Sequence, residues 1–507
     1  MRFNTQAQNK DLTINHEGAE AYYLPVKMDL YTTVVTSALS DQFYEKADKR
    51  IERLRELIKQ CEPTFVAKLA IYAREQMYLR SVPLVLAVEL AKIHKNDNLV
   101  SRLVARIVQR ADEITELLAY YQLANERNGT KKLGKLSKQI QKGLAQAFNK
   151  FDEYQFAKYN RKTEIKLRDA LFLVHPKAKN ETQQAIFDKI VKDELQTPYT
   201  WEVELSVLGQ QTFATEQDKQ QAFQAKWEEL IDSGKVGYMA LLRNLRNILQ
   251  AKVSATHLQK VATRIANQHE VANSKQLPFR FLAAYKELIN LEEPSPFVSL
   301  LLESLEQAVK ASVVNLQGFD AQTTVLLACD VSGSMQRPIS PRSKIENYDI
   351  GLILAMLLQS ECQSVISGFF GDTWKVVNLP SSHILSNCKE LRRREGEVGY
   401  STNGYKVLEY LIENKLAVDK VMFFTDCQMW NNKNTDTTFA GTWQKYKKIA
   451  PRAKLYLFDL VGYGNTPLQI ERQDVYLIAG WSDKIFEVLE NLEKGEDTLA
   501  MIENIRF

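Results

Sequence analysis

Long hydrophobic runs are missing from these 507 residues. No stretch approaches the roughly 18 apolar residues that a membrane-spanning helix needs. The first twenty residues, MRFNTQAQNKDLTINHEGAE, lack the apolar core of a signal peptide. Cysteine is scarce: Cys61, Cys329, Cys362, Cys388 and Cys427 are scattered and odd in number. Their spacing suits neither a disulfide framework nor a set of metal ligands. A reducing compartment is the simplest setting, so a cytoplasmic protein with no membrane partner is expected. The phosphate-cradling Gly-x-x-x-x-Gly-Lys-Ser/Thr pattern is absent too, which argues against an NTPase. What remains is the composition of a soluble globular protein, 45% hydrophobic and 25% charged.

The most readable stretch is VLLACDVSGSM at 325–335. Its apolar run suits a buried strand and is too short for a lone helix. It ends in Asp330, Ser332 and Ser334, a carboxylate and two hydroxyls at alternate positions, with Gly333 allowing a tight turn. These are hard oxygen donors, suited to a small hard cation, with Mg²⁺ the first choice and Mn²⁺ the second. Downstream, Thr402 precedes a helical pattern, and the apolar run 420–425 ends beside Asp426. In an open parallel sheet ligands gather at the carboxyl ends of strands, so Asp330, Ser332, Ser334, Thr402 and Asp426 are expected at one edge. Ser401 is an alternative to Thr402. The pattern resembles the metal-ion-dependent adhesion site of von Willebrand factor A domains. The bland reading is a polar turn after a strand. Two basic loops, 337–344 and 392–394, are expected near this edge, where they would help recruit an acidic protein ligand; the alternative is surface arginines with no partner.

The net charge of +4 is unevenly placed. Residues 127–179 carry fourteen Lys and Arg against four Asp and Glu, leaving the remainder net negative. A local positive field marks an anion-binding surface, although a solvated pair of helix faces has the same composition. Lys131, Lys132, Lys135, Lys138 and Lys142 fall at spacings that stripe one helix side. In a second basic segment, Thr163 reads as an N-cap and 165–174 as the helix. Arg168 and His175 are seven residues apart and so share a face. Arg168 alternatively pairs with Glu164, four residues earlier.

From about residue 45 to 316 the apolar spacing is almost continuously helical. Helices are predicted at 48–60, from 63, from 82, at 97–110 and at 112–123, an arrangement like stacked helix pairs. A short linker at 317–320 follows. From 323 strands and helices alternate, the mark of a doubly wound sheet. Strands are predicted at 324–329, 364–370, 374–378, 420–425, 454–461 and 475–480. Helices are predicted at 346–361, 403–414, 438–449 and 482–493. The expected fold is therefore multidomain: an all-α HEAT-like solenoid or ring at 1–319, then an α/β doubly wound A domain at 320–507.

An all-helical part running directly into such a metal-site domain resembles the Ro autoantigen family, whose helical part is called the TROVE module. The segment 167–177, LRDALFLVHPK, is similar to that family's Arg-Asp…His-x-Lys-Pro signature, although Pro precedes Lys here. Residues 240–245, ALLRNL, match a second family segment. The resemblance spans about 30 to 505 and is to a bacterial-type Ro protein. It implies a helical ring closed by the A domain. It also implies binding of small structured Y-type RNA and of single-stranded ends of misfolded noncoding RNA, in partnership with an exoribonuclease. The family's RNA-contacting Lys and His fall on Lys158 and His175, and its Arg-Asp on Arg168-Asp169. The candidate RNA-binding set is thus Lys131, Lys132, Lys135, Lys138, Lys158, Arg161, Arg168, His175 and Lys177.

The expected function is that of a monomeric RNA-binding ribonucleoprotein component in RNA quality control. The alternative is a metal-dependent protein-adhesion module with no main RNA role. An enzyme is not expected, because no His, Cys or Lys lies within the metal motif to act as a general base.

Overall fold

The apolar runs of the last third are strands because both their faces are covered. In a parallel sheet flanked by helices, burial on both sides replaces alternation with near-continuous hydrophobicity. The computed structural model of the protein describes residues 12–507 apart from 37–38, 40–41, 43, 127–135, 161–162, 293–294, 313–321, 342, 432–436, 471–473, 483 and 496. Among these, the strands are β1 (Leu12–Ile14), β2 (Glu20–Tyr23), β3 (Thr324–Asp330), β4 (Ser364–Phe370), β5 (Trp374–Val376), β6 (Lys420–Thr425), β7 (Lys454–Asp459), β8 (Asn465–Thr466) and β9 (Val475–Ala479). Six form one sheet in the order β5-β4-β3-β6-β7-β9. Its pairings are parallel except at the β5 edge. All six predicted strands are present. β7 stops at Asp459 rather than 461, because the Asp459 carboxylate accepts the backbone N–H groups of Val461 and Gly462 and turns the chain away.

The predicted helices stand at Asn347–Glu361, Tyr405–Glu413, Phe439–Tyr446 and Ile485–Glu493. Asn347–Glu361 is buried almost all round, as suits a helix in the middle of a domain. One further helix, Leu385–Arg394, corrects the expectation of a basic loop at 392–394. Its three arginines form the last turn and pair within the fold. Arg392 meets Glu346 at 2.6 Å and Glu395 at 3.2 Å, Arg393 meets Glu390 at 2.8 Å, and Arg394 meets Glu397 at 3.0 Å. The interleaved glutamates, three residues away in each direction, were the overlooked signal. In the other loop, Lys344 pairs with Glu287 at 2.8 Å, and Arg342 lies outside the described residues.

Packing divides the chain into two compact units. One gathers Met1–Leu54, Ala266–Asn290 and Leu302–Leu499, and the other gathers Arg55–Ile265, Leu291–Leu301 and Ala500–Phe507. The division expected at 319 and 320 follows chain order, whereas the packing places the start of the chain with the large sheet. The linker at 317–320 lies outside the described residues.

In the first unit β1 and β2 form a hairpin, and β2 pairs antiparallel with β8, Tyr22 opposite Thr466. Arg50, in the same unit, is fully buried. It donates to Glu45 (3.0 Å), the Thr36 hydroxyl (3.0 Å) and the Val461 carbonyl (2.6 Å). A buried guanidinium persists only with such partners.

The second unit contains the helices Pro63–Glu75, Ser81–Ile93, Leu99–Ile107 and Ala111–Ala124, close to the sequence spacing. Each packs on its next or next-but-one neighbour in sequence, the pattern of stacked helix pairs. Lys138–Phe148 lies close against Leu99–Ile107. A Cβ on Gly143 would stand 2.6 Å from the Val104 Cβ, so glycine permits the approach. The Lys stripe expected from 131 is helical only from Lys138 among the described residues. Among them, too, no helix is long and apolar enough to cross a membrane.

Candidate functional site

β3 and β6 are adjacent and parallel, Cys329 opposite Phe424, so their carboxyl ends lie side by side. This brings Asp330 and Asp426 together, both fully buried. Oδ1 of Asp330 accepts from the Ser332 backbone N–H at 2.9 Å, and Oδ2 accepts from the Thr425 hydroxyl at 2.6 Å. The hydroxyls of Ser332 and Ser334 are 3.1 Å apart. Oδ1 of Asp426 accepts from the Gln428 N–H at 3.0 Å, while its Oδ2 is buried without a hydrogen-bond partner. Thr402 is buried, and its carbonyl accepts from the Trp430 N–H at 2.9 Å, which joins its loop to the one after β6. The loops of Ser332 and Thr402 are linked as well, since the Gly333 N–H donates to the Tyr400 carbonyl at 3.2 Å. Ser401 is engaged elsewhere: its N–H donates to Asp372 at 2.9 Å, and its side chain and backbone hold that carboxyl below its usual range. The fold therefore favours Thr402 over its neighbour.

Burial pushes the Asp330 carboxyl up, against the opposing hydrogen bonds from Thr425 and Ser332. Asp426 is pushed up first by burial and next by the charge of Asp330, with the nearby Ser334 hydroxyl opposing. Two carboxylates kept from water, one with an unpartnered oxygen, are costly by themselves. A divalent cation held among these oxygens would offset both the repulsion and the missing partner. The donors present therefore fit Mg²⁺ or Mn²⁺. Among the described residues no three His, Cys, Asp or Glu side chains converge as a metal centre. The candidate site is leaner, two carboxylates completed by hydroxyls.

Sequence reasoning missed two side chains here. Thr425 positions Asp330. Asp459, at the end of the neighbouring β7, is a third fully buried carboxylate. Burial raises its pKa to about 6, and its Oδ2 has no hydrogen-bond partner. An acidic residue closing an apolar run was the available signal, obscured by the expectation that the strand ran to 461.

The basic region belongs to the second unit. Lys131, Lys132, Lys135 and Arg161 lie outside the described residues. Lys138 is exposed and donates to Gln141 at 3.3 Å. Lys158 is exposed on the helix Glu153–Tyr159, its ammonium 5.7 Å from the Tyr154 ring and 5.8 Å from the Tyr159 ring. Arg168 is exposed on the helix Leu167–Val174, 5.8 Å from the Phe172 ring. Arg168 has no ion pair among the described residues. Glu164, the alternative partner, accepts instead from Gln122 at 3.0 Å.

Two local expectations are corrected. Thr163 does not cap the helix; its hydroxyl donates to the Ile165 carbonyl, and Asp169 accepts the Lys166 N–H at the helix start. His175 lies one step past the helix with φ +50°, so helical spacing does not set the direction of its ring relative to Arg168. Its imidazole is exposed, and Gln141 rather than His175 donates to the Leu173 and Val174 carbonyls. Lys177 is exposed, its carbonyl held by Asn149 at 3.0 Å. The overlooked residues are aromatic. Tyr154 and Phe172 are each nearly half exposed, beside Lys158 and Arg168.

Comparison with known proteins agrees with this layout. The TROVE domain model matches residues 26–224 and 192–299, and the Ro60 vWA domain model matches 324–493. The chain is similar to telomerase protein component 1 of Mus musculus, 27% identical over 322 residues, 47% of this chain and 12% of that protein. The Rattus norvegicus protein of the same name is 28% identical over 321 residues, with the same coverage. The match thus spans only about an eighth of these relatives' length. Among solved structures, the RO (RSR) protein of Deinococcus radiodurans shares the fold, with a TM-score of 0.59 at 17% identity over 93% of this chain and 100% of that one.

Proposed function

Because the chain belongs to the TROVE family in its Ro arrangement, a TROVE domain followed by a Ro60 vWA domain, we propose that it is an RNA-binding component of a ribonucleoprotein. One observation carries this reading. Exposed Lys158 and Arg168 stand beside the half-exposed rings of Tyr154 and Phe172, in the stretch where positive charge concentrates. Cations neutralise phosphates, and exposed rings stack on unpaired bases. A purely solvated charged face has no need of the rings.

The ligand in this reading is small structured RNA of the Y type together with single-stranded ends of misfolded RNA. The protein acts as a cytoplasmic monomer without catalysis of its own, delivering RNA to an exoribonuclease. Lys158, Arg168, His175 and Lys177 contact phosphates, as do Lys138 and the lysines and arginine outside the described residues. At the sheet edge, Asp330, Ser332, Ser334, Thr402 and Asp426 would hold a divalent cation. When bound, the cation supplies a Lewis-acidic charge able to accept a carboxylate from an acidic protein ligand. Thr425 orients Asp330 for this, and burial keeps water from the two carboxylates.

The test is to purify the protein from cells and sequence the RNA that accompanies it, with and without charge reversal of the lysines and arginines between 127 and 179. Small structured RNA present in the first case and depleted in the second is the expected result. An unchanged RNA profile would overturn the reading.

A further inference from the structure

Ala500–Phe507 packs with the second compact unit, whereas Leu499 still belongs to the first. Ile502, near the end of the helix Thr498–Glu503, is fully buried and anchors the segment. Beyond this anchor the chain runs across three cations. The Lys68 ammonium donates to the Glu503 carbonyl, and the Arg106 guanidinium donates to the Arg506 carbonyl. The Arg102 guanidinium stands 5.2 Å from the centre of the Phe507 ring. Lys68 comes from the helix Pro63–Glu75. Arg102 and Arg106 lie four residues apart on Leu99–Ile107 and so share a face. What meets these charges is neutral, two carbonyls and a ring. Arg106 also pairs with Glu75 at 2.6 Å. Lys68 and Arg102 have no carboxylate partner among the described residues.

We propose that residues 504–507 are a removable cover on a second RNA face, in which Lys68, Arg102 and Arg106 take the backbone of single-stranded RNA. The proposal rests on the RNA-binding reading above. A phosphate brings the negative charge that a carbonyl lacks. It forms charge-assisted bonds with lysine and arginine and releases counter-ions on binding. The Phe507 ring stands where an unpaired base would, since a guanidinium plane stacks on either. A duplex keeps its bases stacked within itself and does not replace that contact. The cover is lightly held. Ile505 and Phe507 are half-buried, Arg506 is exposed, and the helix ends at Glu503. Segments with so little burial open at low cost. RNA that reaches this face must displace them. Its apparent affinity is therefore reduced in proportion to the fraction of molecules uncovered.

The experiment compares wild type, a deletion of residues 504–507, Phe507→Ala, and the deletion combined with Lys68→Gln and Arg102→Gln. A fluorescein-labelled uridine dodecamer is titrated by anisotropy across a salt series, with an RNA duplex of the same length alongside. The deletion should bind the dodecamer roughly tenfold more tightly than wild type, as for a face about nine-tenths covered. Its salt slope should steepen by about 0.7 for each phosphate gained. Phe507→Ala keeps the two carbonyl contacts and should gain less in the same direction, which guards against misfolding of the deletion. The two glutamine substitutions should cancel the gain, and the duplex should show none. In wild type, amide hydrogen exchange at 504–507 should quicken as the dodecamer binds. If wild type binds the dodecamer while the deletion and Phe507→Ala bind it no more tightly, the cover is wrong and the RNA-binding reading stands. A gain that survives the glutamines, or that the duplex shares in full, overturns the proposed face in the same way. If neither wild type nor the deletion binds RNA, the RNA-binding reading and this proposal both fall.

Discussion

The hydroxyl of Thr425 donates to Oδ2 of Asp330 across 2.6 Å, joining the ends of two neighbouring parallel strands inside the protein. Valine has the shape of threonine without the donor. Thr425→Val should therefore destabilise the metal-free protein by about 1–3 kcal/mol, since a buried carboxylate oxygen loses its partner. Urea unfolding in the presence of a chelator measures this, and a change below about 0.5 kcal/mol would contradict it.

Asp426 carries a buried oxygen without a partner and a carboxyl already raised by burial and by Asp330. Asp426→Asn removes the charge at nearly constant shape. Mn²⁺ affinity should fall by about a hundredfold or more, beyond the roughly 10–100-fold typical of residues that only support a ligand. Stability in chelator should be equal or higher. Calorimetry and urea unfolding on the same samples separate the two effects. Unchanged Mn²⁺ affinity would remove Asp426 from the ligand set.

Asp459 gives a pH signature of its own. Its folded pKa of about 6 lies above the unfolded value of roughly 3.9. Between these values the folded state holds the proton and the unfolded state does not. Stability from this group is therefore complete below about pH 4 and is lost as pH rises through 6. Asp459→Asn keeps the acceptor for Val461 and Gly462 and cannot ionise. Relative to wild type, the variant should gain up to roughly 3 kcal/mol between pH 4 and pH 7. Urea unfolding across that range would show parallel curves if Asp459 were not involved.

For RNA binding, Arg168→Gln and Lys158→Gln should each lower the slope of log affinity against log salt by about 0.7–0.9 for each phosphate no longer neutralised. Phe172→Ala should weaken single-stranded RNA binding by about 1–3 kcal/mol per stacked base. Because Phe172 is nearly half exposed, its loss should change stability little. Glu164→Gln, which leaves Arg168 untouched, should not alter RNA affinity. Filter binding across a salt series with unaltered slopes in both cationic variants would reduce this face to solvated charge.

Asp330 and Lys158 belong to different compact units. Asp330→Ala should abolish Mn²⁺ binding and leave RNA affinity within about twofold, a shift of about 0.4 kcal/mol. Equal loss of RNA binding in Asp330→Ala and in Lys158→Gln would show that the two sites do not act separately.

The strands, and with them four of the five proposed cation ligands, were legible because burial on both faces writes itself into consecutive residues. Residues 325–329 and 421–424 are apolar where the sheet is covered, and polarity returns at the strand ends, at Asp330 and at Thr425-Asp426. The helices of the second unit were legible for a similar reason, since one buried stripe imposes a spacing of three and four. These patterns depend only on near neighbours in the chain, and the sequence by itself determined them. Only the tertiary structure decided which partner each polar group takes. The hairpin of β1 and β2 has three- and four-residue strands, too short for a period, and finds its third strand in β8 far along the chain. Asp372 claims Ser401, Glu390, Glu346 and Glu397 claim the arginines that read as a free basic loop, and a left-handed step turns His175 out of helical register. Such choices follow from distances across the fold. A charge or hydroxyl takes the partner that folding brings within about 3 Å, and spacing along the chain does not record that distance.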